Sequence, residues 1–283
     1  MVTRKDVADT LNSLGIKNGD ILLFHSSLKS FGEIENGADT VIDGALDAVG
    51  TDGTLVAPAL LTKSFYVAYE IFDKNTSPCE VGLIPETMRK RQNALRSDQA
   101  THSVSAIGKM AEFLTNSHST SKPRKFPYGD YAFSHGSPWQ KMYDLNAKIV
   151  FMGCGMEANT FHHFIEALYA EEILSALPDT EKVREMKKVL VDFDMRDEHT
   201  RQLILERDQG VPHTLIRFQF GRRCNRGQIL AEQIGKTAYC GQSKFILLNA
   251  REYVDKLYEQ VKIYKEDFYC TDILDWIKEA QKI

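Results

Sequence analysis

The sequence contains no apolar run of the length that a membrane-spanning helix needs, about 20 residues. Its first residues, MVTRKDVADTLNSLG, predict an amphipathic helix and lack the hydrophobic segment and small-residue cleavage site of a secretory signal peptide. We therefore expect a cytoplasmic protein with no membrane partner.

Cysteine and net charge are also low. The five cysteines are odd in number, none belongs to a C-x-x-C pair, and they are scattered as Cys79, Cys154, Cys224, Cys240 and Cys270. This pattern argues against a disulfide framework and against a structural zinc site. The formal net charge of −4 comes from interleaved acidic and basic residues. The sequence therefore offers no basic surface for nucleic acid.

Buried-strand and amphipathic-helix patterns alternate along the 283 residues. Strands are predicted at 20–28, 54–60, 102–108 and 148–155, and helices at 38–50, 83–91 and 159–172; KVLVDFD, FILLNA and REYVDKLYEQVK continue the pattern. The alternation predicts an α/β domain with a largely covered sheet. We expect one domain over residues 1–283, with a long loop insertion near 115–135, where a polar and aromatic segment has no clear period.

The stretch NTFHHFIEAL, residues 159–168, places two histidines and a glutamate on one predicted helix. His162 and His163 lie four and three residues before Glu166, so either ring can share a helical face with that carboxylate. A carboxylate that holds one ring nitrogen leaves the other to take a proton from a nucleophile. The same spacing also fits an ordinary pair on a helix surface. The stretch matches neither H-E-x-x-H nor H-x-x-E-H, so we expect no metal.

Two further segments carry polar residues at predicted strand ends. FHSSLKS, residues 24–30, ends a strand, and open α/β sheets bind ligands beyond such ends. The next helix begins near Gly37 and Ala38, where free backbone amides can hold a phosphate, although Asp39 can serve as the helix's own anion. His102 either contacts a ligand or is a polar residue at a strand start.

Cys154 offers a different chemistry. It follows a predicted strand, but a nucleophile elbow requires glycines where Met152 and Met156 stand, which favours a buried structural thiol. A thiol-dependent acyl hydrolase or acyltransferase, with a histidine as partner, stays open as an alternative.

Taken in order, these segments resemble the aminoglycoside 3-N-acetyltransferase family. The resemblance rests on HSSLKSFGEIENGADTVIDGALDAVGTDGTLVAPAL, TSPCEVGLIPETMRKRQNALRS, THSVSAIGK, HGSPWQKMYDLNAKIVFMGCG, NTFHHFIEAL and GKTAYCGQSKFILLNAREYVD; it does not extend securely over residues 175–230. It implies a three-layer α/β/α sandwich that transfers an acetyl group from acetyl-coenzyme A to a primary amine of an aminoglycoside, amino sugar or related aminated metabolite.

The resemblance also implies roles for individual residues. Asn159, Thr160, His163 and Glu166 match the family's catalytic pattern, which makes His163 the general base and Glu166 its supporting carboxylate. Along the coenzyme path it places Ser26, Ser27, Leu28, Lys29, Gly37, Ala38, His102 and Ser103. A further supporting acid is expected from Asp192, Asp194 or Glu206, with no choice among them. A homodimer is an expectation from the family alone.

Three positions depart from the family pattern. Gln99 and Ala100 replace histidine and proline, and His135 replaces glutamate. These segments border the acceptor side of the cleft in the family, so the acceptor can differ from an antibiotic. A non-catalytic protein of the same fold that binds coenzyme A or a sugar is the remaining alternative.

Overall fold

The computed structural model describes residues 1–61, 68–124, 131–176, 178–181, 184 and 220–264. The helices are α1 Arg4–Leu14, α2 Ala38–Val49, α3 Ala68–Ile71, α4 Leu83–Arg89, α5 Ala111–Thr115, α6 Pro138–Asp144, α7 Phe161–Ala176, α8 Phe220–Ile234 and α9 Ala250–Ile263. The strands are β1 Ile21–Ser26, β2 Thr54–Pro58, β3 Leu95–Arg96, β4 Val104–Gly108, β5 Lys148–Met152, β6 Lys236–Cys240 and β7 Ser243–Asn249. The predicted segment KVLVDFD lies outside the described residues.

Several predicted bounds shift for local reasons. β1 ends at Ser26 because Leu28–Phe31 forms a 3-10 turn. β4 begins at Val104, after His102, because the side chain of Gln99 accepts the backbone N–H of His102. β5 ends at Met152, where Gly153 adopts φ +69°, a conformation that glycine tolerates.

The strands form one seven-stranded mixed sheet in the order β3-β4-β2-β1-β5-β7-β6. The three central strands β2, β1 and β5 run parallel, and the remaining pairs are antiparallel. The carboxyl ends of β1, β2 and β5 therefore lie at one edge of the sheet. The amino end of β4 lies at that same edge.

Helices cover both faces of the sheet. Successive side chains of a strand point to opposite faces. On β1, Leu22 and Phe24 belong to the core cluster under α1, α2 and α4, whereas Leu23 belongs to the cluster under α5 to α9. The predicted α/β/α sandwich is confirmed. Within the described residues, no helix is both long and apolar enough to span a membrane.

The predicted loop insertion is irregular where it is described, on either side of residues 125–130. Its interior is anchored by buried polar contacts. The ring of His118 lies 2.9 Å from the Ser97 hydroxyl and 3.0 Å from the Ala132 carbonyl oxygen, so it joins both arms of the loop to the segment before β4.

Candidate active site

The site lies at the sheet edge where β1 and β5 end. Ser26 is in register with Met152, so the segment after β1 and the segment after β5 leave the sheet side by side. The chain after β5 leads through a short 3-10 turn, Met156–Ala158, into α7. Asn159 lies just before this helix, and its Oδ1 accepts the backbone N–H of Phe161, the first helical residue, at 3.1 Å.

His163 and Glu166 form a close pair on the first turns of α7. Nδ1 of His163 lies 2.6 Å from Oε2 of Glu166. The His163 side chain is 26% exposed, whereas that of Glu166 is 1% exposed. A carboxylate at Nδ1 favours the tautomer with its proton on that nitrogen, which places the ring lone pair on Nε2. The pair has the geometry of an imidazole base oriented by a buried carboxylate.

Arg223, on α8, completes this group. Its Nη1 lies 2.6 Å from Oε1 of Glu166 and 3.4 Å from Nδ1 of His163. Burial by itself lowers the pKa of Arg223, but the Glu166 carboxylate and the Cys224 thiol outweigh it, and the pKa is raised. No sequence pattern points to Arg223, because it is far from Glu166 along the chain and matches no motif.

His162 has a different environment from its neighbour. Its side chain is fully buried, and its Nε2 lies 2.7 Å from the Tyr253 hydroxyl. Burial, followed by the charge of Arg223, lowers the pKa of His162 well below its ordinary value. The ring is therefore a neutral core group, and His163 is the histidine of the pair that the structure leaves partly exposed.

His102 lies beside His163. Their ring centroids are 5.6 Å apart, edge to face, and Phe133 borders both rings. Burial, followed by the charges of His163 and His118, lowers the pKa of His102 well below its ordinary value. His102 thus contributes a neutral imidazole to the site.

Gln99 holds the backbone that carries His102. Its Oε1 accepts the N–H of Thr101 at 2.9 Å and also the N–H of His102, and its Nε2 donates to the Tyr69 hydroxyl at 2.6 Å. Ala100 is buried against Ala68 and Leu61. Both departures from the family pattern therefore connect this turn to α3.

His135, the third departure, belongs to a charged cluster. Its Nε2 lies 2.8 Å from Oε1 of Glu171, a later residue of α7. The other oxygen of Glu171 accepts from Arg124 at 2.6 Å. Arg124 also donates to the Phe133 carbonyl and to Gln140. The cluster fixes the loop that carries Phe133 to the helix that carries His163.

Apart from His102, which lies beside His163, the residues expected along the coenzyme path fall into two groups. Ser103 is fully buried and donates to the Ala59 carbonyl at 2.7 Å, and it accepts from Arg96, so its side chain is committed within the protein. The other group lies at the end of β1 and in the segment after it, one strand away from the β5 segment that leads to His163, and comprises Ser26, Ser27, Leu28, Lys29, Gly37 and Ala38.

This second group offers polar and open positions. Within the described parts of the chain, the buried Oγ of Ser26 has no hydrogen-bond partner. Gly37 precedes α2 with φ +58°, and a Cβ added there meets nothing within 4 Å. The N-cap residue of α2 is Gly37, which has no side chain to accept a hydrogen bond, and the exposed Asp39 pairs with Arg91 at 2.7 Å.

Cys154 follows β5 and is a poor candidate for a nucleophile. Its thiol is partly buried, and burial, followed by the charge of Glu157, raises the pKa to about 12. The raised pKa leaves little thiolate near neutral pH, which does not favour a cysteine nucleophile. Among the described residues, no group of three or more His, Cys, Asp or Glu is placed to hold a metal ion. Asp192, Asp194 and Glu206 lie outside the described residues.

Comparisons with known proteins agree with this architecture. A family profile described as aminoglycoside 3-N-acetyltransferase matches residues 23–262. Aminoglycoside N(3)-acetyltransferase III from a Salmonella species is 30% identical over 59% of this chain, and the match spans only 61% of that relative's length. Aminoglycoside N(3)-acetyltransferase VII from Streptomyces paromomycinus is 26% identical over 90% of this chain and 89% of its own.

Solved structures share the fold. AAC-IIIb in a binary complex with CoASH has a TM-score of 0.64 and 21% identity, covering 93% of this chain and 97% of its own. The YokD protein of Bacillus subtilis has a TM-score of 0.64 and 19% identity, covering 92% of this chain and 98% of its own.

Proposed function

The chain belongs to the aminoglycoside 3-N-acetyltransferase family, and on that premise we propose that it transfers an acetyl group from acetyl-coenzyme A to a primary amine of an aminoglycoside, an amino sugar or a related aminated metabolite. The observation that carries the proposal is the partly exposed His163 ring, held at 2.6 Å by the buried Glu166 at the edge of the sheet where ligands bind.

His163 acts as the general base. The amine nitrogen attacks the carbonyl carbon of the thioester, and its proton passes to Nε2 of His163. The new N–C bond forms as the C–S bond breaks, and coenzyme A leaves as the thiol or thiolate. Glu166 holds the ring in the required tautomer and stabilises its protonated form. General base catalysis of this kind contributes roughly 10²–10⁴-fold to a rate.

Acetyl-coenzyme A is the co-substrate and supplies the activated acetyl group. The end of β1 and the segment after it fit such a ligand, since the Ser26 hydroxyl has no hydrogen-bond partner among the described residues and Gly37 leaves open space before α2. Backbone amides at a helix start favour phosphate groups. Holding both substrates at one edge of the sheet also contributes to the rate by orienting them.

The test is release of free thiol from acetyl-coenzyme A in the presence of a panel of aminoglycosides and amino sugars. We expect turnover with at least one amine, and a fall of roughly 10²–10⁴-fold in His163→Ala, while calorimetry shows acetyl-coenzyme A binding within a few fold of the wild type. Glu172→Gln, an exposed change on the same helix, is the matched control and retains full turnover.

Two results contradict the proposal. Normal turnover in His163→Ala removes the histidine from the mechanism. Binding of acetyl-coenzyme A without thiol release for any amine instead indicates a non-catalytic binding protein.

A further inference from the structure

Glu166 lies between two nitrogen groups that come from distant parts of the chain. Its Oε2 contacts Nδ1 of His163 and its Oε1 contacts Nη1 of Arg223, each at 2.6 Å. The Arg223 side chain is 4% exposed. The carboxylate is therefore shared between an imidazole and a fixed guanidinium, inside the protein, where screening by water is weak.

The guanidinium also approaches the ring itself. Nη1 of Arg223 lies 3.4 Å from Nδ1 of His163. A guanidinium nitrogen cannot accept a hydrogen bond. Its positive charge opposes a second proton on the ring, whereas the carboxylate alone would favour that proton. Arg223 thus offsets the effect of Glu166 on the charge of His163, while leaving the hydrogen bond that orients the ring.

One turn further along α8, Gly227 allows this approach. A Cβ added at Gly227 would lie 2.5 Å from Nε2 of His162 and 2.6 Å from the Tyr253 hydroxyl. Because residues four apart share a helical face, the close packing at Gly227 brings Arg223 within reach of Glu166.

Within the described parts of the chain, further titratable groups lie around the cluster of His163, Glu166 and Arg223. His162 precedes His163 on α7, His102 lies before β4, and Cys224 follows Arg223 on α8. Burial, the first cause in each case, lowers the pKa values of both histidines and raises that of Cys224, so all three favour their neutral forms. Among the described residues, the charged side chains of Glu166 and Arg223 both lie within hydrogen-bond distance of Nδ1 of His163.

We infer that Arg223 is a positioning residue that holds Glu166 in place and opposes the effect of that carboxylate on the ring, so that His163 stays oriented for its role as base. The inference rests on the proposed role of His163 as base. In this scheme Arg223 does not contact the substrate.

Two variants separate charge from packing. Arg223→Met removes the charge and keeps most of the side-chain volume, and Arg223→Lys restores the charge without the planar fork of two donors. Arg226→Gln, on the same helix and stacked over Tyr264, is the matched control. Thermal unfolding checks that each variant is folded.

The first measurement is an NMR titration of the ¹⁵N-labelled histidine rings, which needs no activity. We expect the midpoint for His163 to rise by about one pH unit in Arg223→Met, because the opposing charge is gone. It returns toward the wild-type midpoint in Arg223→Lys and does not move in Arg226→Gln. An unchanged midpoint in a folded Arg223→Met overturns the inference.

The second measurement is the pH dependence of kcat for acetyl transfer. The acidic limb of the profile moves upward in Arg223→Met, giving about a tenfold loss of kcat at pH values below that limb, with KM for acetyl-coenzyme A little changed. A purely structural role predicts a loss at all pH values, and that result overturns the inference. If the wild type transfers no acetyl group but the NMR midpoint shifts, the proposed function fails and the effect of Arg223 on His163 stands.

Discussion

The ring of His102 meets the ring of His163 edge to face, with 5.6 Å between the ring centroids. Two imidazoles therefore lie next to each other at the site, from segments that precede β4 and follow β5. The position of His102 depends on Gln99, whose side chain accepts the N–H groups of Thr101 and His102.

Replacing Gln99 tests this support. Gln99→Met leaves two buried backbone N–H groups without their acceptor, and we expect it to lower the free energy of unfolding by about 1–3 kcal/mol and to reduce turnover. Gln99→Glu keeps an acceptor oxygen, so we expect smaller losses of unfolding free energy and of turnover than in Gln99→Met. Urea unfolding and the thiol-release assay measure the two effects. Equal losses in the two variants would show that the acceptor oxygen is not what matters.

Replacing Cys154 tests the thiol alternative. With a pKa raised to about 12, only on the order of one Cys154 side chain in 10⁵ is a thiolate at neutral pH. We expect Cys154→Ser to retain turnover within about twofold, because no acyl-thiol intermediate is needed for direct transfer. A pre-steady-state burst in the wild type, abolished in this variant, would support the cysteine mechanism instead.

Replacing Gly227 tests the packing of α8 against α7. In Gly227→Ala the new methyl group overlaps His162 and Tyr253, and overpacking of this kind costs about 1–3 kcal/mol. Alanine has the better helix propensity, by up to about 1 kcal/mol, so the net loss in unfolding free energy is smaller than the overlap alone. Asn225→Ala, an exposed change on the same helix, serves as the control and is expected to be neutral or slightly stabilising. Equal free energies of unfolding for Gly227→Ala and Asn225→Ala would show that the close packing at Gly227 does not limit stability.

The buried ring of His118 leads us to expect that the protein loses stability in acid. Burial, partly offset by its bond to the Ala132 carbonyl, lowers its pKa to about 4 in the folded protein, against about 6.5 in the unfolded chain. The unfolded chain therefore binds a proton first as the pH falls. The contribution of the neutral His118 ring to the free energy of unfolding is fully present above pH 6.5 and is lost progressively down to about pH 4. At pH 5 the loss is about 2 kcal/mol.

Urea unfolding of the wild type and of His118→Asn at pH 7 and at pH 5 measures this contribution. The variant is expected to be less stable at pH 7, since it loses ring contacts, and to lose about 2 kcal/mol less than the wild type on acidification. Identical losses in the two proteins would place the acid sensitivity elsewhere.

Periodicity predicts the central part of the fold well. Residues 54–60 form a short apolar run that follows a turn, residues 38–50 have apolar residues at helical spacing, and each element is found within a few residues of its predicted bounds. The bounds that move do so because of side-chain contacts, as Gln99 shows at the start of β4. A local pattern contains no information about such a contact.

The candidate site is predicted only in part, because a local pattern contains no information about contacts between distant residues. The spacing of His163 and Glu166 is local to one helix, so the sequence can pair them, although it leaves His162 as an equal choice. Burial separates the two histidines, and burial depends on how α8 and α9 pack. Arg223 comes from α8, after a stretch where the family pattern cannot be followed, and only the folded arrangement brings it to Glu166.

The sheet order has a consequence for how this protein is made. β1 lies between β2, its near neighbour in sequence, and β5, with Ser26 in register with Met152, and β7 then closes the far side of β5. Pairings between such distant segments form slowly, and parallel strand edges stay exposed until they do. During synthesis the first three strands leave the ribosome with one edge of β1 uncovered. We expect that interval to be the stage at which the chain is most prone to aggregate and most dependent on chaperones.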